Sequence, residues 1–430
     1  MNYKSDSMEP ECIYSYGGTS IFMISCSKFK TNSISFFFMD DLCRERAAKN
    51  ALVPAVLRRG TQRHPTQREL TLHLQELYGA SFDCGVSKKG ETHVIYFSVE
   101  FIPDKYTAKS ESLGKNVFDM LWDIIFDPFL KDNNFKEEYF LQEKENLSWL
   151  IESRINDKVS YAVDRCYEEM CKGEPFGVYV YGSRDDLEQI SNTDLFNHYD
   201  KMIHTLPLNI YITGNLDGET TEYITEKVKS GRKHCQPYKH KKPGADYLSA
   251  DTVNYVTEKQ DITQGKLTLG FRTDIWAGHP DYYRLLLYNA VLGGGINSKL
   301  FKNIRERSGL AYYIFSTIEK FKGLMVISCG IETGKRNQVE NMIMEQLNEI
   351  NNGKISDEEF TTTMKTVKSG IRSLKDDHRQ IVDFYLSQFI AGTNDSLDML
   401  TYKLESVKKD EISGISGKIK LDTVYFLEGQ

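Results

Sequence analysis

An arginine and a tyrosine, Arg305 and Tyr312, lie seven residues apart in the stretch SKLFKNIRERSGLAYY, residues 298–313. A guanidinium is a planar fork that can bind a carbonyl or a carboxylate, and a phenol can donate a hydrogen bond to a developing oxyanion. A structural role is the alternative, because an arginine in the last turn of a helix complements its dipole and a tyrosine just beyond often packs on the core. The residues alone slightly favour the structural role.

The arginine and the tyrosine are separated by the predicted end of a helix. Leu300, Phe301 and Ile304 recur at helical spacing and form an apolar face. Gly309 follows at the place where a left-handed cap would end the helix. The sequence therefore predicts a helix that carries Arg305 and stops at Gly309, with the tyrosine just beyond.

The size and composition of the chain indicate a folded protein of at least two domains. Its 430 residues exceed one ordinary hydrophobic core, and 40% hydrophobic residues with 12% aromatics are ample for folded lobes. A net charge of -7 gives no electrostatic reason to expect nucleic-acid binding. The longest apolar run, residues 34–39, has the length of a strand rather than the ~20 residues of a membrane span.

Cysteine usage and the N-terminal residues indicate a cytoplasmic protein. The eight cysteines include no CxxC pair, and the two nearest in sequence are Cys166 and Cys171. Scattered cysteines in a chain of this size are typical of reduced thiols. Asp6, Glu9 and Glu11 are unlike the basic start of a signal peptide. We therefore expect a cytoplasmic protein that has neither nucleic acid nor membrane as a partner.

Landmarks of the first half of the sequence recur in the same order in the second half. They are an opening strand, a helix with an Asn-Ala pair, an amphipathic helix ending in glycine, a hairpin glycine, and a closing aromatic strand ending in glycine. In that order the pairs are residues 33–38 and 266–271, Asn50 and Asn289, Gly79 and Gly309, Gly90 and Gly323, and Gly214 and Gly429. Ordered repetition of this kind predicts an internal duplication.

Local patterns in the first half predict a helix followed by a strand. Thr66 and Glu69 form a capping-box pattern that begins a helix, and Gly79 ends it. Between residues 93 and 101, apolar and polar side chains alternate. Such alternation indicates a half-buried antiparallel strand, since a parallel strand covered on both faces would be apolar throughout.

A basic segment separates the two halves. Residues 227–242 hold seven Lys or Arg and no acidic residue, and Pro243 follows. We interpret the segment as a solvated linker; the alternative, a nucleic-acid patch, is disfavoured by the acidic remainder of the chain. The predicted domains are therefore a first lobe over 1–226, a linker over 227–250 and a second lobe over 251–430.

Other groups of polar residues resemble catalytic or metal sites only weakly. Residues 73–76 read HxxE without a second histidine, so His73 is interpreted as a helix-surface residue. His234, Cys235 and His240 could gather a metal but lie in the basic segment. The glycine-rich residues 293–299 lack the GK[ST] order of a phosphate loop. No spacing pattern marks a Ser/His/Asp or Cys/His nucleophile.

The stretch 298–313 resembles a marker of the second lobe in the pitrilysin/insulinase zinc peptidases, which include the mitochondrial processing peptidase. These enzymes carry HxxEH in the first lobe and use an Arg/Tyr pair of the second lobe to hold substrate. The resemblance covers residues 20–430 and implies an α+β fold of two similar lobes. Each lobe is expected to be an antiparallel sheet of about six strands with helices packed on one face. The resemblance also implies a substrate-binding role for Arg305 and Tyr312.

The HxxEH motif of that family is missing from this sequence. The stretch ALVPAVLRRGT resembles the motif's helix and fixes its register. Ala51 then replaces the first histidine, Pro54 the catalytic glutamate and Ala55 the second histidine. A proline has no backbone N–H, so we expect the helix to kink or restart at Pro54.

The remaining zinc ligand of the family is replaced as well. The family segment FxxEKxxxxEE resembles FKEEYFLQEKENLSWLIE here, in which Glu143 is retained. The ligand position falls on Leu150, or on Trp149 with a slipped register. Leucine and alanine have no metal-binding atom. The resemblance therefore implies that this chain binds no metal and has no catalytic residue of its own.

Three further stretches resemble a zinc-less bacterial subfamily whose name refers to the 5-aminopentanol modification of elongation factor P. They are residues 50–61, 74–90 and 422–429. In split members of the wider family, one chain carries HxxEH and the other carries the Arg/Tyr lobe. The resemblance thus implies a non-catalytic, substrate-holding subunit of a heterodimeric zinc metallopeptidase, with zinc on a homologous partner and a peptide as substrate. The alternative is a catalytically dead binding or scaffold protein in a protein-modification pathway.

Overall fold

A computed structural model describes residues 8–107, 112–232, 234–241 and 252–429. The chain forms two compact units, and each unit includes a segment from the other half of the chain. The first unit comprises the described residues of Met1–Glu152, Val178–Lys239 and His378–Tyr385. The second comprises those of Ser153–Gly177, His240–Asp377 and Leu386–Gln430.

The strands build one large sheet in each unit. Their bounds are β1 (Glu11–Tyr16), β2 (Thr19–Ser25), β3 (Asn32–Asp41), β4 (Ser81–Lys89), β5 (Thr92–Phe101), β6 (Leu130–Lys131), β7 (Asn134–Phe135), β8 (Leu208–Gly214), β9 (Asn254–Gln260), β10 (Gly265–Arg272), β11 (Ala311–Glu319), β12 (Leu324–Ile331) and β13 (Lys420–Gly429). The first sheet has the order β1-β2-β8-β3-β5-β4 and the second the order β9-β13-β10-β12-β11. Strands β6 and β7 form a separate small hairpin.

The α-helices connect and cover these strands. Their bounds are α1 (Arg44–Leu57), α2 (Gln67–Glu76), α3 (Leu113–Phe126), α4 (Glu137–Ser153), α5 (Lys158–Met170), α6 (Arg184–Glu188), α7 (Asn192–Thr205), α8 (Gly218–Gly231), α9 (Tyr282–Gly293), α10 (Arg336–Asn351), α11 (Asp357–Leu374), α12 (His378–Ala391), α13 (Leu397–Ser406) and α14 (Lys409–Ile412). A π-helix over Phe301–Arg307 precedes β11.

The two sheets share one topology, which confirms the predicted α+β fold of two similar lobes. Strands β2, β8, β3, β5 and β4 of the first sheet occupy the places of β9, β13, β10, β12 and β11 in the second. In both sheets the pairs are antiparallel except for one, β2 with β8 and β9 with β13. The second sheet has no counterpart of β1 among the described residues and is therefore one strand smaller.

The core of the first unit lies between its sheet and helices that follow the predicted patterns. Thr66 and Glu69 form the capping box at the start of α2. Along β5, buried side chains alternate with half-buried ones from Ile95 to Phe101, and Ile95 is the last of four consecutive buried residues. On β3, Phe36 and Phe38 are fully buried and reach toward aromatic side chains of α3. These contacts bury large apolar areas, which is the main stabilising contribution in such a core.

Helices cover both faces of the second sheet, whereas the sequence predicted one. Ala162 and Cys166 of α5 pack on Tyr425 and Leu427 of β13. Helix α9 lies on the opposite face. The backbone carbonyl of Asn289 on α9 accepts a hydrogen bond from the Ser316 hydroxyl of β11. Ser316 is in register with Ile327 of β12 and Leu269 of β10, so these three side chains share the face opposite α5. The physical reason is that α5, from the first half of the chain, belongs to the second unit.

A buried ion cluster holds the segment that contains α5 against the second sheet. Arg272 of β10 donates to the Met170 carbonyl at 2.6 Å, to Glu174 at 2.7 Å and to Asp422 at 2.9 Å. Lys322 lies 3.0 Å from the other oxygen of Glu174. All four charged side chains are buried, so the cluster is stable only while its opposite charges remain together.

The segment predicted as a linker begins inside a helix, because residues 227–231 form the last turns of α8. Arg232 then donates to the carbonyls of Ile203 and Leu206 at the end of α7. The backbone N–H of Cys235 donates to the Gly17 carbonyl at 3.0 Å. The basic segment therefore packs on the first unit at Arg232 and at Cys235. Residues 233 and 242–251 lie outside the described part of the chain.

Candidate functional site

Helix α1 carries Ala51, Pro54 and Ala55, the three residues that the resemblance places at the HxxEH positions. It runs without interruption from Arg44 to Leu57, so the expected restart at Pro54 does not occur. Position 54 lies in the last turn, where a missing N–H costs a single helical hydrogen bond, and the Pro54 carbonyl still accepts from Arg58 N at 3.2 Å. Ala51 is buried and Ala55 half-buried. The face that would present metal ligands is apolar.

Helix α4 carries the retained glutamate and the replaced third ligand. Glu143 is buried, where it accepts hydrogen bonds from Arg59 Nε and from Asn146 Nδ2, the latter at 3.3 Å. Leu150 is 45% exposed and Trp149 61% exposed. The charge of the Glu143 carboxylate is therefore neutralised by Arg59. At the position that the resemblance assigns to the third ligand, Leu150 exposes an apolar side chain.

Within the described ranges, no group of three or more His, Cys, Asp or Glu side chains is placed to hold a metal ion. His73 stacks on His64 with ring centroids 4.3 Å apart, and its Nδ1 lies 3.4 Å from Glu76. Lys299 is buried with Glu359 2.9 Å away, so its ammonium is not available to a phosphate. His234 packs edge-on against Tyr16.

A buried polar cluster adjoins Ala51 on helix α1, and the sequence did not predict it. The Asn50 amide donates to Asp40 Oδ2 at 3.0 Å and lies 3.1 Å from His93 Nδ1. Its Oδ1 lies 2.7 Å from His198 Nε2. Arg46 donates to the same Asp40 carboxylate at 2.8 Å. We call these residues the Asn50 cluster. It joins β3, β5, α1 and α7, so it fixes the position of α1 beside Ala51.

Burial of the two histidines keeps both rings neutral. Desolvation lowers the pKa of His93 to about 4, although the nearby Asp40 acts in the opposite direction. The pKa of His198 is likewise lowered to about 4, again chiefly by burial. With a neutral ring, His93 accepts the Asn50 amide proton at Nδ1 and carries its own proton on Nε2. The Asn50 cluster is therefore a set of hydrogen bonds rather than a proton-transfer site at neutral pH.

Arg305 lies on the π-helix of the second unit, where the sequence predicted an α-helix. The wider π-helical turn has one more residue per hydrogen-bonded ring, a geometry frequent at functional sites. The Arg305 guanidinium lies over the Phe301 ring, 4.6 Å from its centroid. Within the described ranges the exposed side chain makes no hydrogen bond or ion pair. No carboxylate of the described residues therefore neutralises its charge, and the Phe301 ring is the neighbour that it contacts.

Tyr312 lies at the start of edge strand β11, just after the turn at Gly309. Gly309 has φ +64°, the left-handed conformation predicted for the helix end. Ala311 pairs with Ile331 and Tyr313 with Gly330, so Tyr312 is the extra residue of a β-bulge. Its side chain is 50% exposed. A β-bulge changes the direction in which its extra residue points. Here the Tyr312 phenol points toward solvent rather than into the core.

The structure places Arg305 and Tyr312 on consecutive elements of one unit, joined by the Gly309 turn. They make no hydrogen bond with each other. Both side chains are exposed, and no internal hydrogen bond of Tyr312 is seen in the described part of the chain. Half exposure of the phenol does not fit the alternative in which the tyrosine packs on the core.

Comparison with known proteins identifies the family of this chain. The sequence profile described as "Peptidase M16 inactive domain" matches residues 189–367. Over 414 residues the chain is 32% identical to a Bacillus subtilis protein named "Probable inactive metalloprotease YmfF", and 96% of each chain is covered. The chain belongs to the M16 peptidase family. This membership confirms the resemblance to the pitrilysin/insulinase peptidases.

Solved structures show the same fold in other proteins. A crystal structure of a conserved protein from Enterococcus faecalis V583 has a TM-score of 0.89 and 28% identity, over 98% of this chain and 99% of that one. A peptidase M16 inactive domain from Pseudomonas fluorescens has a TM-score of 0.80 and 14% identity, over 98% of each chain. At the latter identity the likeness concerns the fold alone.

This M16 chain is peptidase-like and has no HxxEH in its sequence, in keeping with the words "inactive domain" in the profile description and "inactive metalloprotease" in the name of the Bacillus subtilis relative. None of the described helices combines the length and the apolar character needed to span a membrane. Nothing in the comparisons assigns a role to Arg305 or Tyr312, so their role stays a prediction.

Proposed function

We propose that this M16 chain is the non-catalytic, substrate-holding subunit of a heterodimeric zinc metallopeptidase. One observation carries the proposal. Arg305 and Tyr312 are exposed and, among the described residues, make no hydrogen bond or ion pair, while Ala51, Pro54, Ala55 and Leu150 stand where the resemblance places the zinc ligands and the general base. Polar groups that make no hydrogen bond or ion pair within their own chain are available to bind a peptide.

The chemistry of the pair suits an extended peptide. The guanidinium, steadied by the Phe301 ring, can bind a peptide carbonyl or a C-terminal carboxylate. The Tyr312 phenol can donate a hydrogen bond to the oxyanion that develops when the carbonyl is attacked. A partner must supply the attacking water, because the positions of the metal ligands and the general base carry Ala51, Pro54, Ala55 and Leu150.

The proposed partner is a homologous chain that carries HxxEH and binds zinc, in the cytoplasm. In such a site three protein ligands hold the metal and the glutamate activates its water. This chain would then hold the substrate and donate a hydrogen bond to the oxyanion, but supply neither the metal nor the general base. The second candidate is a peptide-binding or scaffold protein in a protein-modification pathway, and it is favoured by the same exposed pair, because binding without cleavage needs no partner.

The test replaces the pair one residue at a time and assays the assembled enzyme. Arg305→Ala and Tyr312→Phe should each lower steady-state peptide cleavage by the zinc-bearing partner on the order of 10²-fold, because each removes one transition-state contact. Thermal unfolding of the isolated variants should hardly change, since both side chains are exposed. Arg307→Ala is the matched control. Arg307 is also exposed on the π-helix, but its Nη1 donates to Asn303 at 2.8 Å.

Three outcomes separate the proposals. Loss of cleavage with Arg305→Ala and Tyr312→Phe, but not with Arg307→Ala, supports the subunit. Loss of peptide binding by the isolated chain, in the absence of any partner that gains activity, supports the scaffold. If both variants cleave and bind as the parent does, or if their loss is explained by unfolding, the pair has only a structural role.

A further inference from the structure

The ring of Tyr313 lies across Gly330, its partner on the neighbouring strand. A Cβ added at Gly330 would lie 2.5 Å from Cε1 and 2.9 Å from Cδ1 of Tyr313. Carbon atoms in contact need about 3.5 Å, so any residue other than glycine would displace the ring by about 1 Å. An aromatic ring that covers a glycine on the neighbouring strand helps to fix the register of a sheet.

A second contact holds the same ring from the other side of Gly330. Lys266 is the partner of Gly330 on β10, and its ammonium lies 5.5 Å from the centroid of the Tyr313 ring. The lysine is only 8% exposed, and in the described residues no carboxylate pairs with it. The negative face of the Tyr313 ring therefore stabilises a buried cation. The ring can reach it because Gly330 has no side chain.

Tyr313 immediately follows the bulge residue Tyr312. The bulge ends where Tyr313 pairs with Gly330, so the position of the ring determines where the ladder resumes. From this we infer that Gly330 and Tyr313 are positioning residues, which hold the β-bulge that presents Tyr312. The inference rests on the proposed function of Tyr312, and it adds two residues that do not touch substrate.

The hydroxyl of Tyr313 provides an internal control. Its Oη is buried and makes no hydrogen bond of regular geometry among the described residues, and the nearby Ser328 side chain supplies only a weak contact. The ring should thus matter and the hydroxyl should not. Tyr313→Phe keeps the contacts with Gly330 and Lys266 and should behave as the parent does, whereas Gly330→Ala should displace the ring and with it the bulge.

The experiment reads the environment of Tyr312 directly. 3-Fluorotyrosine is placed at position 312 in the full chain, and its ¹⁹F resonance is recorded for the parent, Gly330→Ala, Tyr313→Phe and the double variant Gly330→Ala/Tyr313→Leu. We expect a shifted or broadened resonance for Gly330→Ala and the parent resonance for Tyr313→Phe. The double variant should not recover the parent resonance, because leucine makes room for the alanine methyl but has no ring to hold the bulge.

Cleavage by the assembled enzyme is the second measurement. A displacement of about 1 Å at a substrate contact can lower the rate on the order of 10²-fold, so Gly330→Ala should approach the effect of Tyr312→Phe while Tyr313→Phe does not. An unchanged ¹⁹F resonance in Gly330→Ala overturns the inference, whatever the activity. A changed resonance without any effect of Tyr312→Phe on cleavage retains the positioning and instead refutes the proposed role of Tyr312.

Discussion

Replacement of Asn50 by alanine should destabilise the first unit more than most single substitutions. Asn50 is fully buried, and its amide makes three hydrogen bonds, to Asp40, His93 and His198. In the variant, Asp40 still accepts a hydrogen bond from Arg46, but one ring nitrogen of His93 and one of His198 lose their hydrogen-bond partner. A buried polar group left without a partner costs about 1–3 kcal/mol. With two such groups and a small cavity, we expect a loss of about 3–4 kcal/mol.

The internal duplication supplies a matched control for this substitution. Asn289 holds the equivalent position on α9, yet its Oδ1 is buried without a partner among the described residues. Asn289→Ala should therefore lower the free energy of unfolding by less than about 1 kcal/mol, since no hydrogen bond is broken. Urea unfolding followed by circular dichroism at pH 7.5 measures both variants. Equal midpoints for Asn50→Ala and Asn289→Ala would refute the hydrogen-bond account of the Asn50 cluster.

Two further predictions concern buried charges. Burial lowers the pKa of His93 in the folded chain to about 4 from its ordinary value of 6.5. The unfolded chain therefore binds more protons between these values, so the free energy of unfolding falls as the pH is lowered through this window, by about 3 kcal/mol for this residue near pH 4. Urea midpoints from pH 7.5 to pH 4 check this, and His93→Gln should flatten the dependence; a parallel curve contradicts it. Arg272→Met should cost about 3–5 kcal/mol, because Glu174 and Asp422 remain buried after their guanidinium partner is lost. Denaturant unfolding measures this, and a loss below about 1 kcal/mol would contradict it, because Lys322 lies beside Glu174 but leaves Asp422 without its ion pair.

Elements set by neighbouring residues could be predicted from the sequence. The capping box of Thr66 and Glu69 is local, and the structure contains it. The left-handed turn at Gly309 and the alternation along β5 were likewise predicted, because each depends on a few adjacent residues. The two-lobed α+β fold followed from repeated landmarks and from the family resemblance, and the common strand order confirms it.

Features that depend on distant pairing were not predicted. The Asn50 cluster brings together residues 40, 50, 93 and 198, and no local pattern links them. The bulge at Tyr312 exists only relative to β12, so its presence cannot be seen in β11 alone. The amphipathic pattern of α5 indicates that one face is buried, but not that the sheet beneath it belongs to the second unit.

The most direct test of the proposed division of labour is the rate of peptide cleavage in a mixing series. A fixed amount of a zinc-loaded homologue that carries HxxEH is titrated with this chain, and cleavage of an extended peptide is followed, with zinc determined in each purified component. The account predicts no cleavage by this chain alone, no stoichiometric zinc on it, and a rate that rises to saturation at a fixed ratio of the two chains. Cleavage by this chain alone, with one zinc per chain that is lost when its own residues are replaced, would contradict it.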